Sequence, residues 1–95
     1  GIADLDFYKN MQISAYPNPA VNETTISYRL AESMESVTLV IMDMTGREVY
    51  KEVMGQKSAG LYNVNLDISE YNAGNYFYSL VSNGSRLTKR MVVIK

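Results

Sequence analysis

From Met11 onward, apolar and polar residues alternate with a period of two: Met11, Ile13 and Ala15 against Gln12, Ser14 and Tyr16. This pattern predicts a half-buried β-strand, because successive strand side chains point to opposite faces. Tyr16-Pro17-Asn18-Pro19 ends it, since each proline lacks an amide donor and pushes the residue before it towards extended geometry. A sharp turn is expected there. Thr24, Ile26, Tyr28 and Leu30 then alternate with Thr25, Ser27 and Arg29 in a second strand rich in β-branched and aromatic residues. Residues 31–36 read as a polar connection.

Val37, Leu39 and Ile41 alternate with Thr38, Val40 and Met42 as far as Asp43-Met44-Thr45-Gly46, where the aspartate can cap a turn and the glycine can adopt positive φ. The return arm of this hairpin, residues 47–54, is expected to turn Val49 and Val53 inward. Its charges, Arg47, Glu48, Lys51 and Glu52, should mostly face water, and residues 55–60 should form a loop. In the next strand, residues 61–66, Tyr62, Val64 and Leu66 share a face, with Ile68 and Tyr71 tucked beneath it. Gly74 opens a further strand, with Tyr76, Tyr78 and Leu80 on one face. Asn83-Gly84 predicts a two-residue type I′ hairpin turn, which needs positive φ twice. The register follows: Leu80 faces Leu87, Tyr78 faces Lys89 and Tyr76 faces Met91. The last strand, residues 86–94, is apolar on both faces over residues 91–94.

About seven short strands and no segment of helical period argue for an all-β, antiparallel, immunoglobulin-like β-sandwich, with a small barrel as the alternative. Residues 1–10 have no clear period and are expected to be a linker to an upstream passenger, with the domain proper over 11–95. The chain begins with Gly1 and carries no leader-like segment, so it reads as a piece of something longer.

Composition narrows the chemistry. The 95 residues are 46% hydrophobic and 20% charged, as expected of one globular domain with a modest core. Cysteine and histidine are absent, which removes disulfides, thiolate metal sites, the commonest general base and every His-containing triad. No cofactor is expected, and the chain does not read as an enzyme. Its longest apolar runs are far shorter than the roughly 18–20 residues of a membrane-spanning helix. The net charge is −1, yet all four charges in residues 71–95, Arg86, Lys89, Arg90 and Lys95, are positive. That asymmetry can steer an acidic partner, or simply protect a solvated hairpin.

Ten carboxylates at mainly outward positions do not suggest a glycosidase pair, and the strand tyrosines fall at core parity rather than on a sugar platform. A sequence pI near 5.3 with few cations excludes nucleic acid as a partner.

Four segments in order, Tyr16-Pro17-Asn18-Pro19-Ala20, Asp43-Met44-Thr45-Gly46-Arg47-Glu48-Val49, Ala73-Gly74-Asn75-Tyr76 and the basic-apolar-lysine ending over residues 88–95, resemble the type IX secretion C-terminal sorting domain of Bacteroidetes cargo proteins. The departures are an arginine, Arg90, where lysine is common, and the absence of any resemblance before residue 16. What the resemblance implies is a domain that directs cargo from the periplasm across the outer membrane to the cell surface or the medium. Its implied partners are the translocon, an outer-membrane shuttle protein and a sortase-like signal peptidase that attaches cargo to anionic lipopolysaccharide. A homodimer by strand exchange or edge pairing is a further expectation. Carried over by position, the recognition elements are Gly74, Tyr76, Lys89, Arg90, Met91, Val92, Val93, Ile94 and Lys95. An apolar strand flanked by cations can add to a partner's sheet edge. The competing reading is a retained adhesion or carbohydrate-binding sandwich, which would need an exposed aromatic strip or a metal site.

Overall fold

The computed structural model describes residues 11–95; the expected linker, residues 1–10, lies outside the described residues. Seven strands follow in chain order: β1 (Met11–Tyr16), β2 (Glu23–Leu30), β3 (Met34–Asp43), β4 (Glu48–Lys57), β5 (Gly60–Asp67), β6 (Gly74–Ser82) and β7 (Ser85–Val93). All ladders are antiparallel, in two sheets of order β1-β2-β5 and β4-β3-β6-β7. Among the described residues there is no helix and no ladder joining the two sheets, so the fold is the expected sandwich rather than a closed barrel.

The inward faces are those the alternation predicts. Ile13, Ile26, Tyr28 and Leu30 from one sheet meet Val37, Leu39, Ile41, Tyr78, Leu80, Met91 and Val93 from the other, all nearly or fully buried. Burying each such side chain contributes about 1.5–3 kcal/mol relative to leaving it in water. Ile68 is fully buried beneath the end of β5, and Tyr71 packs against the core beside it. Tyr28 stacks on Tyr62 with centroids 5.1 Å apart and donates its hydroxyl to the Met54 sulfur at 2.9 Å.

The Asn83-Gly84 turn has φ of 50° and 81°, and it sets the predicted register: Leu80 opposite Leu87, Tyr78 opposite Lys89 and Tyr76 opposite Met91. At Asp43, the carboxylate accepts bonds from the Thr45 amide and hydroxyl and from the Arg47 amide, while Gly46 takes φ of 88°. The Thr45 hydroxyl does most to hold the Asp43 carboxyl below its ordinary pKa.

Two features of β4 differ from expectation. The strand continues to Lys57, so only Ser58 and Ala59 lie between it and β5. Val53 is 70% exposed, whereas Tyr50 and Met54 pack against the core. The cause is a register shift: Ile41 pairs with Tyr50 but Met42 pairs with Glu48, leaving Val49 as an extra residue. An inserted residue exchanges the faces that follow it, and here the exchange runs to Val53, beyond which a second shift skips Met54, with Thr38 opposite Val53 and Val37 opposite Gly55. Val49 itself still packs against the core.

Ile41→Ala should therefore destabilise the domain by about 2–5 kcal/mol, whereas Val53→Ser should stay within about 0.5 kcal/mol of the parent. Urea denaturation checks both, and a large loss at Val53 would contradict the register shift.

Candidate functional site

The candidate site is the last strand together with the chain segment that closes it. Beyond β1, Tyr16-Pro17 and Asn18-Pro19 are both cis, and the chain leaves the three-stranded sheet for the edge of the four-stranded one. There Ala20 bridges Val93 in parallel, its amide donating to the Val92 carbonyl at 2.8 Å and its carbonyl accepting from the Ile94 amide at 2.8 Å. Asn18 extends the same contact with its side chain. Its Nδ2 donates to the Arg90 carbonyl at 3.1 Å, and its Oδ1 accepts from the Val92 amide at 3.0 Å. An asparagine amide carries both a donor and an acceptor, so here it stands in for a peptide unit. Thr24 holds the loop from beneath by donating its hydroxyl to the Pro17 carbonyl at 2.9 Å.

Lys95 completes the closure. Its ammonium donates to the carbonyls of Val21 at 3.0 Å, Ser69 at 3.1 Å and Ile68 at 3.3 Å. All three donors of the ammonium are thereby used. Nearby, the Ser69 hydroxyl holds the Asp67 carboxyl below its ordinary pKa, with a smaller contribution from the Lys95 charge.

The residues that the resemblance implies for recognition fall into two groups. Gly74 pairs with Val93 and Tyr76 with Met91, so these four are cross-strand neighbours. Gly74 has φ of 150° and open space where a Cβ would sit, so backbone conformation, not crowding, favours glycine there. Tyr76 is buried, donates its hydroxyl to the Asn72 carbonyl at 2.7 Å and packs against Tyr71 at 5.3 Å. Met91 and Val93 are in the core. Lys89, Arg90, Ile94 and Lys95 are exposed and Val92 is half-buried. The backbone edge that strand addition would use is already filled between Arg90 and Ile94 by residues 18–20. The role of Asn18, Ala20 and Val21 is missed by reading the sequence, where this motif signals only a turn.

A shallow cleft of about 780 Å³ opens beside this region, lined by polar residues including Glu23, Asn65 and Asp67. Among the described residues no group of three potential ligands could hold a metal, and no helix is long and apolar enough to cross a membrane.

A family of secretion system C-terminal sorting domains matches residues 14–95, which spans both residues 18–21 and β7, the two halves of this clasp. The chain belongs to this family. The sorting domain is thus a type IX secretion signal, a function that implies interaction with that system and export to the cell surface or medium. Its fold is shared with a DUF3244 family protein of immunoglobulin-like β-sandwich fold from Bacteroides vulgatus, at 17% identity and a TM-score of 0.57, covering 86% of this chain and 91% of that one. The sulfur carrier protein SoxY from Chlorobium limicola f. thiosulfatophilum aligns over the full length of both chains at 12% identity and a TM-score of 0.49, too slight a likeness to carry an argument. No curated protein matches the chain.

Replacing Asn18 with alanine removes both side-chain bonds to β7, each worth about 1 kcal/mol net. The sorting domain should lose about 1–2 kcal/mol in urea denaturation, and Asn18→Asp, which retains only the acceptor, should also lose stability. An unchanged midpoint for both would show that the clasp contributes nothing.

Proposed function

We propose that residues 11–95 act as the folded export address of a passenger protein. The translocon and an outer-membrane shuttle protein recognise the sandwich in the periplasm and conduct the cargo outward. A sortase-like peptidase then severs the domain from its passenger, whose new end is joined to anionic lipopolysaccharide. The match of the sorting-domain family to residues 14–95 carries this reading.

On this reading the residues expected to carry recognition divide the labour. Gly74, Tyr76, Met91 and Val93 hold the last strand in its place and shape. Lys89, Arg90, Val92 and Ile94 present side chains or charge to a partner, with Lys95 fastening the end of the strand. Because the edge beside them is occupied, recognition reads side chains on a finished surface rather than adding a strand at that place.

The test is a fluorescent reporter carrying a Sec signal peptide and residues 1–95, expressed in a type IX-competent bacterium. The parent fusion should reach the surface or medium. A fusion ending at Thr88 should stay periplasmic, as should at least nine-tenths of a Lys89→Glu, Arg90→Glu double variant, whose substitutions lie outside the core. Retention of the parent fusion, or normal export of both variants, would refute the reading.

A further inference from the structure

The parallel bridge at Ala20 makes residues 19–21 a short extra edge on the four-stranded sheet. Ala20 and Val93 are opposite one another and both point into the core, at 0% and 1% exposure. Parallel pairing carried one residue to either side of this isolated bridge would set Val21 beside Ile94, and Pro19 beside Val92, on the outward face. The exposures agree: Val21 is 46% and Ile94 47% exposed, Pro19 is exposed and Val92 is half-buried. Arg90, two residues before Val92 and also outward, borders this patch, and Arg86 lies further along the same face. Residues 16–22 and 74–95 together contain four cations and no aspartate or glutamate.

We infer that Pro19, Val21, Val92 and Ile94, bordered by Arg90, form one composite docking patch for a component of the type IX machinery that presents an apolar surface rimmed by carboxylates. This rests on the sorting reading above and gives it a surface. The address is then not a linear tail but two segments more than 70 residues apart, joined by the Asn18 and Ala20 bonds. Charge complementarity argues for the acidic rim, because a carboxylate near Arg90 meets no like charge from either segment. The side chains of the patch project away from the core, so their substitution separates recognition from folding. Their apolar contact should supply affinity and the arginine orientation.

The experiment uses the same reporter fused to residues 1–95, with Val21→Glu, Ile94→Glu, Arg90→Glu, Val21→Ile and the remote, equally apolar Val53→Glu, beside a reporter lacking residues 1–95. Melting temperatures and solution masses of the purified 1–95 variants are measured in parallel. The expected result is retention of the reporter without the domain, at least tenfold less export for Val21→Glu and Ile94→Glu, and a smaller loss for Arg90→Glu. Val21→Ile and Val53→Glu should export within twofold of the parent, with Val21→Glu folded and monomeric like the parent. If Val21→Glu is folded and exports normally while the domainless reporter is retained, the patch is wrong and the sorting reading stands. If the domainless reporter is exported, the sorting reading itself fails. A parent dimer that Val21→Glu dissolves would overturn the proposal in favour of a second copy as occupant.

Discussion

The far edge of β7 is the point on which the rest of the arrangement depends. A final strand has one neighbour by default, and its outer amides and carbonyls must find water or another partner. Here β6 supplies one side, and residues 18–20 supply the other from Arg90 to Ile94. That second side is what allows Met91 and Val93 to stay fully buried so near the end of the strand. It also ties the two sheets together, because the same loop that leaves β1 of one sheet completes the edge of the other.

Three interactions of different chemistry share this task. A backbone bridge at Ala20 fixes the register of the closing segment, and an asparagine amide imitates a further peptide unit at Asn18. A lysine ammonium at Lys95 draws the Val21 carbonyl together with those of Ile68 and Ser69 in the β5 to β6 connection. None is strong alone, since hydrogen bonds contribute little net energy when water competes for the same groups. Together they hold one geometry, which the proposed surface of two distant segments needs before a partner arrives.

Much of this was legible in the chain. Period-two alternation assigned the buried faces of β1, β2, β3, β5 and β6, and Asn83-Gly84 set the β6 to β7 register residue by residue. The parity of β4 was not legible, because the extra residue at Val49 reverses the faces that follow it, a further shift at Met54 intervenes, and neither leaves a mark in the apolar pattern. The closure of β7 was hidden for a different reason. Tyr16-Pro17-Asn18-Pro19 announces a turn by local rules, but the partners of Asn18 lie 72 and 74 residues away. Local rules see proline geometry; they do not see which distant edge needs a donor and an acceptor. The four segments of the family resemblance are brought closer than their spacing suggests, with Gly74 and Tyr76 directly opposite Val93 and Met91.

Closure of the last strand on both sides is a property of the native state. Native-state hydrogen exchange at the amides of Ala20, Val92 and Ile94 tests it most directly, since each donates a bond within the closure. Closure predicts that these amides exchange as slowly as the Ile41 amide in the central strand, opening only with most of the fold. Exchange within about tenfold of unfolded-peptide rates, with Ile41 still protected, would show an end that frays by itself and a last strand open on its outer side.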